Sequence, residues 1–167
     1  FIFLHTRSGN RKFLLSGLPK TISNTSKGIQ RCEFLYGFAM AFRRETLKKF
    51  MFDENLKQYA WNEDEDIAYR ISRKYQNYYT PSADIIHNIS PAARENIYPR
   101  AERKINYYYY LFKKNMPQDL KHNLAFWWAV LGMLILETLL GLKYKSIKGS
   151  LGILKGISNI LRNKVSI

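Results

Sequence analysis

One cysteine in 167 residues, Cys32, excludes any internal disulfide. The fold therefore rests on its core, and the chain suits a reducing, cytosolic setting. Cys32 itself reads as a small core residue, not a nucleophile. No secretory signal is expected from Phe1–Leu4, which falls short of an h-region. The chain opens on Phe1 with no initiator Met and is read as a fragment lacking its true N-terminus. No repeat is visible, and no stretch is biased enough to be disordered by composition. Acid is scarce: 13 Asp and Glu face 27 Lys and Arg, a formal charge of +14. The imbalance is uneven. Residues 1–99 carry 15 Lys and Arg against 10 Asp and Glu, whereas residues 100–167 carry 12 against 3. The positive excess thus lies beside the most apolar segment, which points to an anionic membrane surface more than to nucleic acid. The length allows one domain with a real core plus an appendage.

Against that scarcity, four consecutive acids, Glu63-Asp64-Glu65-Asp66, follow Asn62 and open a stretch that reads as helix. Helix electrostatics is one explanation, with Asn62 as cap and acids in the first turn facing the positive end of the macrodipole. A catalytic carboxylate presented at a helix start is the other. At about 100° per residue, Asp64, Ile67, Ala68, Ile71 and Tyr75 share a stripe that is apolar except for its first member. Glu63, Asp66, Arg70, Arg73 and Lys74 share a charged stripe. Asp66 and Arg70 form a favourable i,i+4 pair, worth about 0.2–0.5 kcal/mol if exposed. A solvated face accounts for Glu63 and Asp66 but leaves Asp64 at the top of the buried side.

Residues 7–31 read mostly as loop, with a short strand around Lys12–Leu15 and an interruption at Pro19. Phe34–Phe42 is a short aromatic-rich apolar run consistent with a buried strand. Arg43–Phe50 reads as helical, and Phe52-Asp53-Glu54-Asn55 as a turn leading through Tyr59 and Trp61 to the acidic helix at 63–75. Tyr78-Tyr79-Thr80 and Ala83–His87 flank Pro81 and read as a strand that this proline interrupts or starts. Arg100–Lys114 reads as a helix containing four consecutive tyrosines and stopped by Pro117. Leu124–Leu142 has 19 residues and one charge, Glu137. As a helix it spans about 28 Å, near the roughly 30 Å of a hydrocarbon core. Its Leu, Ile, Phe and Val residues contribute on the order of −3 to −6 kcal/mol on an insertion scale, against up to about +3.5 kcal/mol for an acid. A single span, a soluble core helix and a helix lying half-buried in the interface all fit that balance. Trp127 and Trp128 suit a headgroup belt. Beyond it, Ile147, Leu151, Leu154, Ile157 and Leu161 form one face, with Lys148, Lys155, Asn159 and Arg162 over much of the rest. Such a basic amphipathic helix reads as interfacial, or as packed on its own domain.

Taken in order, these features form a pattern: an apolar run containing Gly37, Arg43-Arg44-Glu45, Phe52-Asp53-Glu54, Glu63-Asp64-Glu65-Asp66-Ile67, the helical Arg70, a Pro-Ser-Ala strand and His87. This order resembles the C-terminal half of the catalytic domain of family-2 glycosyltransferases, with Ile67 where the family usually has Leu. The resemblance runs over residues 30–95; the tail is similar, less specifically, to membrane-associated members. It implies an α/β chain, a partial GT-A (nucleotide-diphospho-sugar transferase-like) fold lacking its N-terminal nucleotide-binding half and followed by C-terminal helices. Residues 1–98 would complete the catalytic domain, 99–122 form a basic Tyr-rich helix and linker, and 123–167 an apolar membrane-associated helix with a basic amphipathic one.

The resemblance also implies roles. Asp64 is the catalytic base, Glu63 supports the site, and His87 helps ligate a divalent metal, Mg or Mn, whose site lies mostly in the missing half. Trp61 and Tyr59 stack on an acceptor ring or pack in the core, Gly37 lies at the substrate site, and Arg94 meets a phosphate or solvent. The implied partners are a nucleotide-sugar donor, a glycan or lipid-linked acceptor and an anionic membrane surface. The implied setting is the cytoplasmic face of a cell membrane in cell-surface polysaccharide synthesis. The Asp-x-Asp metal motif of the family is missing; the nearest spacing, Asp64-Glu65-Asp66, lies inside the base motif, so this chain alone is expected to be inactive. Two rival classes compete. A nucleic-acid module is disfavoured because Gly37, Phe38 and Ala39 match an RNA-recognition pattern while Met40, Ala41 and Arg43 fall where its aromatics and valine belong. A non-catalytic membrane-anchored scaffold would use the acids only to cap a helix.

Overall fold

Glycine and proline set the first hairpin. Lys12–Phe13 (β1) and Pro19–Lys20 (β2) pair antiparallel, with Lys12 opposite Lys20, around a turn in which Gly17 takes φ +82°. Pro19 does not interrupt this pair but sits within it, tolerated because a two-stranded ladder is all edge. The computed structural model describes residues 11–20, 28–57, 61–80, 82, 86 and 97–165. A second antiparallel pair joins Gln30–Cys32 (β3) to Asn77–Tyr79 (β4), Cys32 opposite Asn77. Of the expected strand at Ala83–His87, only Ile86 is among the described residues, and it lies in no strand. The chain is a mixed α/β structure in which helix dominates and the sheets are small antiparallel pairs.

The apolar run 34–42 is not the expected strand. Phe34 and Leu35 are buried beside Cys32 and Ala68, but Gly37–Ala39 forms a 3₁₀ turn and Arg44–Leu47 a short helix (α1). The Gly37 N–H donates to the distant Asp64 carboxylate rather than to a ladder, and Tyr36 stacks on Phe38 at 5.7 Å. Helix α2 spans Glu63–Ser72. Its apolar stripe buries Ile67, Ala68 and Ile71 as the periodicity requires, while Tyr75 lies past the helix end and is exposed. Asn62 occupies the cap position in a left-handed conformation (φ 67°) with no side-chain cap, so the expected Asn62 cap is absent. Its carbonyl accepts from Asp66 N at 3.0 Å.

Three long helices follow: α3 (Ile97–Asn115), α4 (Leu120–Lys143) and α5 (Lys148–Leu161). Four successive tyrosines cover more than one face of a helix at about 100° per residue, which suits a helix buried on several sides. Tyr107 donates to the Lys57 carbonyl, Tyr108 to Ser16 O at 2.7 Å, and Tyr110 to Asp53 Oδ2 at 2.7 Å. In this way α3 ties the N-terminal segments to the tail. Phe126 of α4 fills the centre of the helical core, its ring 4.7 Å from Tyr108 and 4.6 Å from Phe112. Asp119 caps α4, accepting from His122 N at 3.0 Å.

Helix α5 meets α3 through glycine. A Cβ built on Gly152 would stand 2.5 Å from Tyr98 O, and one on Gly156 would stand 2.7 Å from Ile105 Cβ. The apolar face expected on α5 therefore divides: its glycines, Ile153 and Ile160 are buried, while Ile147, Leu151, Leu154 and Leu161 are exposed. Gly156→Ala is expected to destabilise the protein. Overpacking costs about 1–3 kcal/mol, against a helix-propensity gain of roughly 1 kcal/mol; chemical denaturation of the variant measures the difference.

Candidate active site

The first turn of α2 gives its four acids four different environments. Asp64 is half-buried, and its Oδ2 accepts from the N–H of Gly37, 27 residues away in sequence. A Cβ on Gly37 would come within 3.1 Å of Asp64 Cβ and 3.2 Å of Oδ2, so the close approach depends on glycine. Glu65, the next residue, is buried and shares a hydrogen bond with Asp64. Burial first, then this hydrogen bond and the neighbouring charge, push the Glu65 carboxyl up to about 9. The raised pKa favours the protonated form of Glu65 beside Asp64. A carboxylate offers about four acceptor positions, so the Gly37 N–H fixes Oδ2 of Asp64 and leaves room for further donors. Glu63 is exposed, its pKa raised by partial burial and then by the Asp64 charge.

The Glu65 shift links stability to pH. The folded chain holds a proton that the unfolded chain releases above its ordinary 4.5, so stability falls as pH rises from 4.5 towards 9. Glu65→Gln keeps a donor and removes the ionisation. It is expected to raise stability at about pH 8 by on the order of a few kcal/mol and to match the parent below about pH 4. Urea melts at the two pH values check this.

Asp66 departs from the solvated-face reading. Its side chain is 0% exposed, and it accepts from Arg70 Nε at 2.9 Å, Lys114 Nζ at 3.0 Å and Asn115 Nδ2 at 2.7 Å. The end of α3 covers this side of α2, which periodicity within α2 cannot reveal. Lys114 also reaches Asp53 Oδ2 at 2.6 Å, and Arg70 Nη2 donates to Met51 O at 2.7 Å. Burial draws Asp53 upward, but hydrogen bonds from Lys114, Tyr110 and the Asn55 N–H outweigh it and hold the group at about 2. The Phe-Asp-Glu turn, the acidic helix and α3 are thereby joined by one ion network.

Trp61 is half-buried, edge-on to Tyr108 with centroids 6.1 Å apart, and Lys104 Nζ lies 5.1 Å from its ring centre. Of the residues singled out in the sequence, Asp64 and Gly37 are in contact, Trp61 and Glu63 precede Asp64 in the chain, and Tyr59, His87 and Arg94 lie outside the described residues. Sequence reasoning missed Glu65, Lys114 and Asn115. The adjacency of Glu65 to Asp64 was an available signal; the long-range Lys114 contact had none.

The described acids do not fit a divalent cation. Asp66 is taken up by Arg70, Lys114 and Asn115, and Glu65 is buried. Among the described residues, no group of three or more His, Cys, Asp or Glu is placed to hold a metal. A cleft of about 370 Å³ lies at the opposite end of α2, lined by Arg11, Arg31, Glu33, Arg73 and Tyr75 and by none of the residues above. Comparison with protein-family models, with curated proteins and with solved structures finds no match to this chain.

Proposed function

We propose that this chain is the C-terminal part of the catalytic domain of an inverting family-2 glycosyltransferase, with a GT-A nucleotide-binding half preceding it in the full protein and a membrane-associated tail. Asp64 is the general base. It takes the proton of an acceptor hydroxyl as that oxygen bonds to the anomeric carbon of a nucleotide sugar. The bond from that carbon to the diphosphate breaks on the opposite side, and the configuration inverts. The donor is a nucleotide sugar, the acceptor a glycan or lipid-linked sugar, and the setting the cytoplasmic face of a cell membrane.

One observation carries this reading: two of the ordered motifs meet in space, the Gly37 N–H of the first donating to the Asp64 carboxylate of the fourth. Helix capping requires no such partner. The fixed Gly37 donor orients the carboxylate, as a general base needs. His87 keeps the metal-ligand role that the resemblance implies. One observation favours the scaffold reading: Asp66 and Asp53 serve packing, so those acids need no chemistry. The test is the product. The full protein, incubated with a panel of nucleotide sugars and acceptors, is expected to form a product whose anomeric configuration, read by NMR, is opposite to the donor's. A retained configuration, or no transfer across the panel, contradicts the proposal.

A further inference from the structure

Helix α4 is long and apolar enough to cross a bilayer, with a window of mean hydropathy 1.8. Its surroundings decide how it uses that length. At about 100° per residue, Leu124, Trp128, Leu131, Ile135, Leu139 and Leu142 fall within one broad stripe, and all six are exposed. The opposite face is buried at Phe126, Ala129, Val130 and Gly141, while Leu136 and Leu140 on it are exposed. On that face Tyr108 and Phe112 of α3 pack against Phe126, and the turn into α5 closes on Gly141, where an added Cβ would stand 2.6 Å from Ser146 O; α5 also touches the flank of the exposed stripe, with Thr138 Oγ1 3.1 Å from Ser150 Oγ. The exposed side of α5 mixes Ile147, Leu151, Leu154 and Leu161 with Lys148, Lys155 and Arg162. No acid occurs after Glu137.

A transmembrane α4 does not suit this packing. Its covered face would carry α3 into the hydrocarbon with Glu102, Arg103 and Lys104, at about 2.5–3.5 kcal/mol for each charge near the centre. It would also carry α5 with Lys148 and Lys155. Stripping α4 from both neighbours would instead uncover Phe112, which packs on Phe126 at 4.6 Å, and open the buried cluster that Val130 shares with Ile153. Lying along the surface avoids both costs. Leucines then enter the acyl boundary, Trp128 sits at headgroup level, and the cations of α5 meet lipid phosphates.

We infer that α4 and α5 form a monotopic hairpin docked on an anionic phospholipid surface, their leucine faces in the headgroup–acyl boundary, with α4 lying in the membrane plane and not crossing it. This rests on the packing of the three helices and not on the transferase reading. The test uses impermeant maleimide on membranes of cells making the full protein, sealed in either orientation, with Lys121→Cys and Lys143→Cys as separate variants. The native Cys32 is buried, its thiol pushed up to about 11, and stays silent. Both new cysteines are expected to label from the same membrane face. Labelling from opposite faces, or from neither, overturns the inference. With purified protein, binding to vesicles of about 70:30 phosphatidylcholine and phosphatidylglycerol is expected to exceed binding to phosphatidylcholine alone by on the order of 100-fold, as three cations near the surface imply. Leu131→Glu, on the exposed face, is expected to lower that binding by about tenfold or more with the melting temperature unchanged. Equal binding to both vesicle types, or no effect of Leu131→Glu, counts against it equally.

Discussion

Asp66→Ala is expected to destabilise the protein more than any substitution at the neighbouring acids, by about 3 kcal/mol. Removing one partner of a buried ion pair typically costs about 3–5 kcal/mol, because the other charge stays buried and unpaired. The low end applies because Lys114 keeps Asp53 at 2.6 Å and Arg70 keeps the Met51 carbonyl at 2.7 Å. Asn115, whose amide reaches Asp66 at 2.7 Å, has that contact removed. For a chain of this size the loss corresponds to a melting temperature lower by about 6–12 °C. A control lies on the surface. Glu45 and Lys48 form an ion pair at 3.4 Å with both side chains more than half exposed, and Glu45→Ala is expected to change stability by under about 0.5 kcal/mol. Thermal melts of the two variants side by side separate a structural network from surface charge. Equal effects would show that Asp66 does not hold α2 to α3.

The difference between these acids also shows where the sequence was legible. Periodicity placed Ile67, Ala68 and Ile71 in the core because a helix repeats locally, and the helices ending near Pro117 and spanning 124–142 were legible for the same reason. Burial of Asp66 was not, since it depends on Lys114, 48 residues on, closing over a face that looks solvated within its own helix. The run 34–42 was misread as a strand because composition records apolarity but not hydrogen-bond partners; the Gly37 N–H is directed to a side chain. On α5 the glycines at 149, 152 and 156 marked the buried face, and the leucines, taken as that face, point outward. The Gly37–Asp64 pairing lay within an order of motifs that no single spacing would have indicated.

Asp64→Asn in the full protein tests the central claim most directly. The amide has the same size as the carboxylate, and its oxygen accepts from the Gly37 N–H as Oδ2 does. Packing is therefore retained while the group that accepts the proton is removed. General-base action is typically worth about 10²–10⁴-fold in rate. The variant is expected to lose that factor in kcat while its melting temperature stays within about 1 °C of the parent. Glu63→Gln, altering an exposed neighbour, is expected to lose far less. The decisive readout is kcat measured with the melt on the same Asp64→Asn preparation. A fall of at least about 100-fold with an intact melt is the expected result; turnover near that of the parent would contradict the assignment of Asp64 as the base.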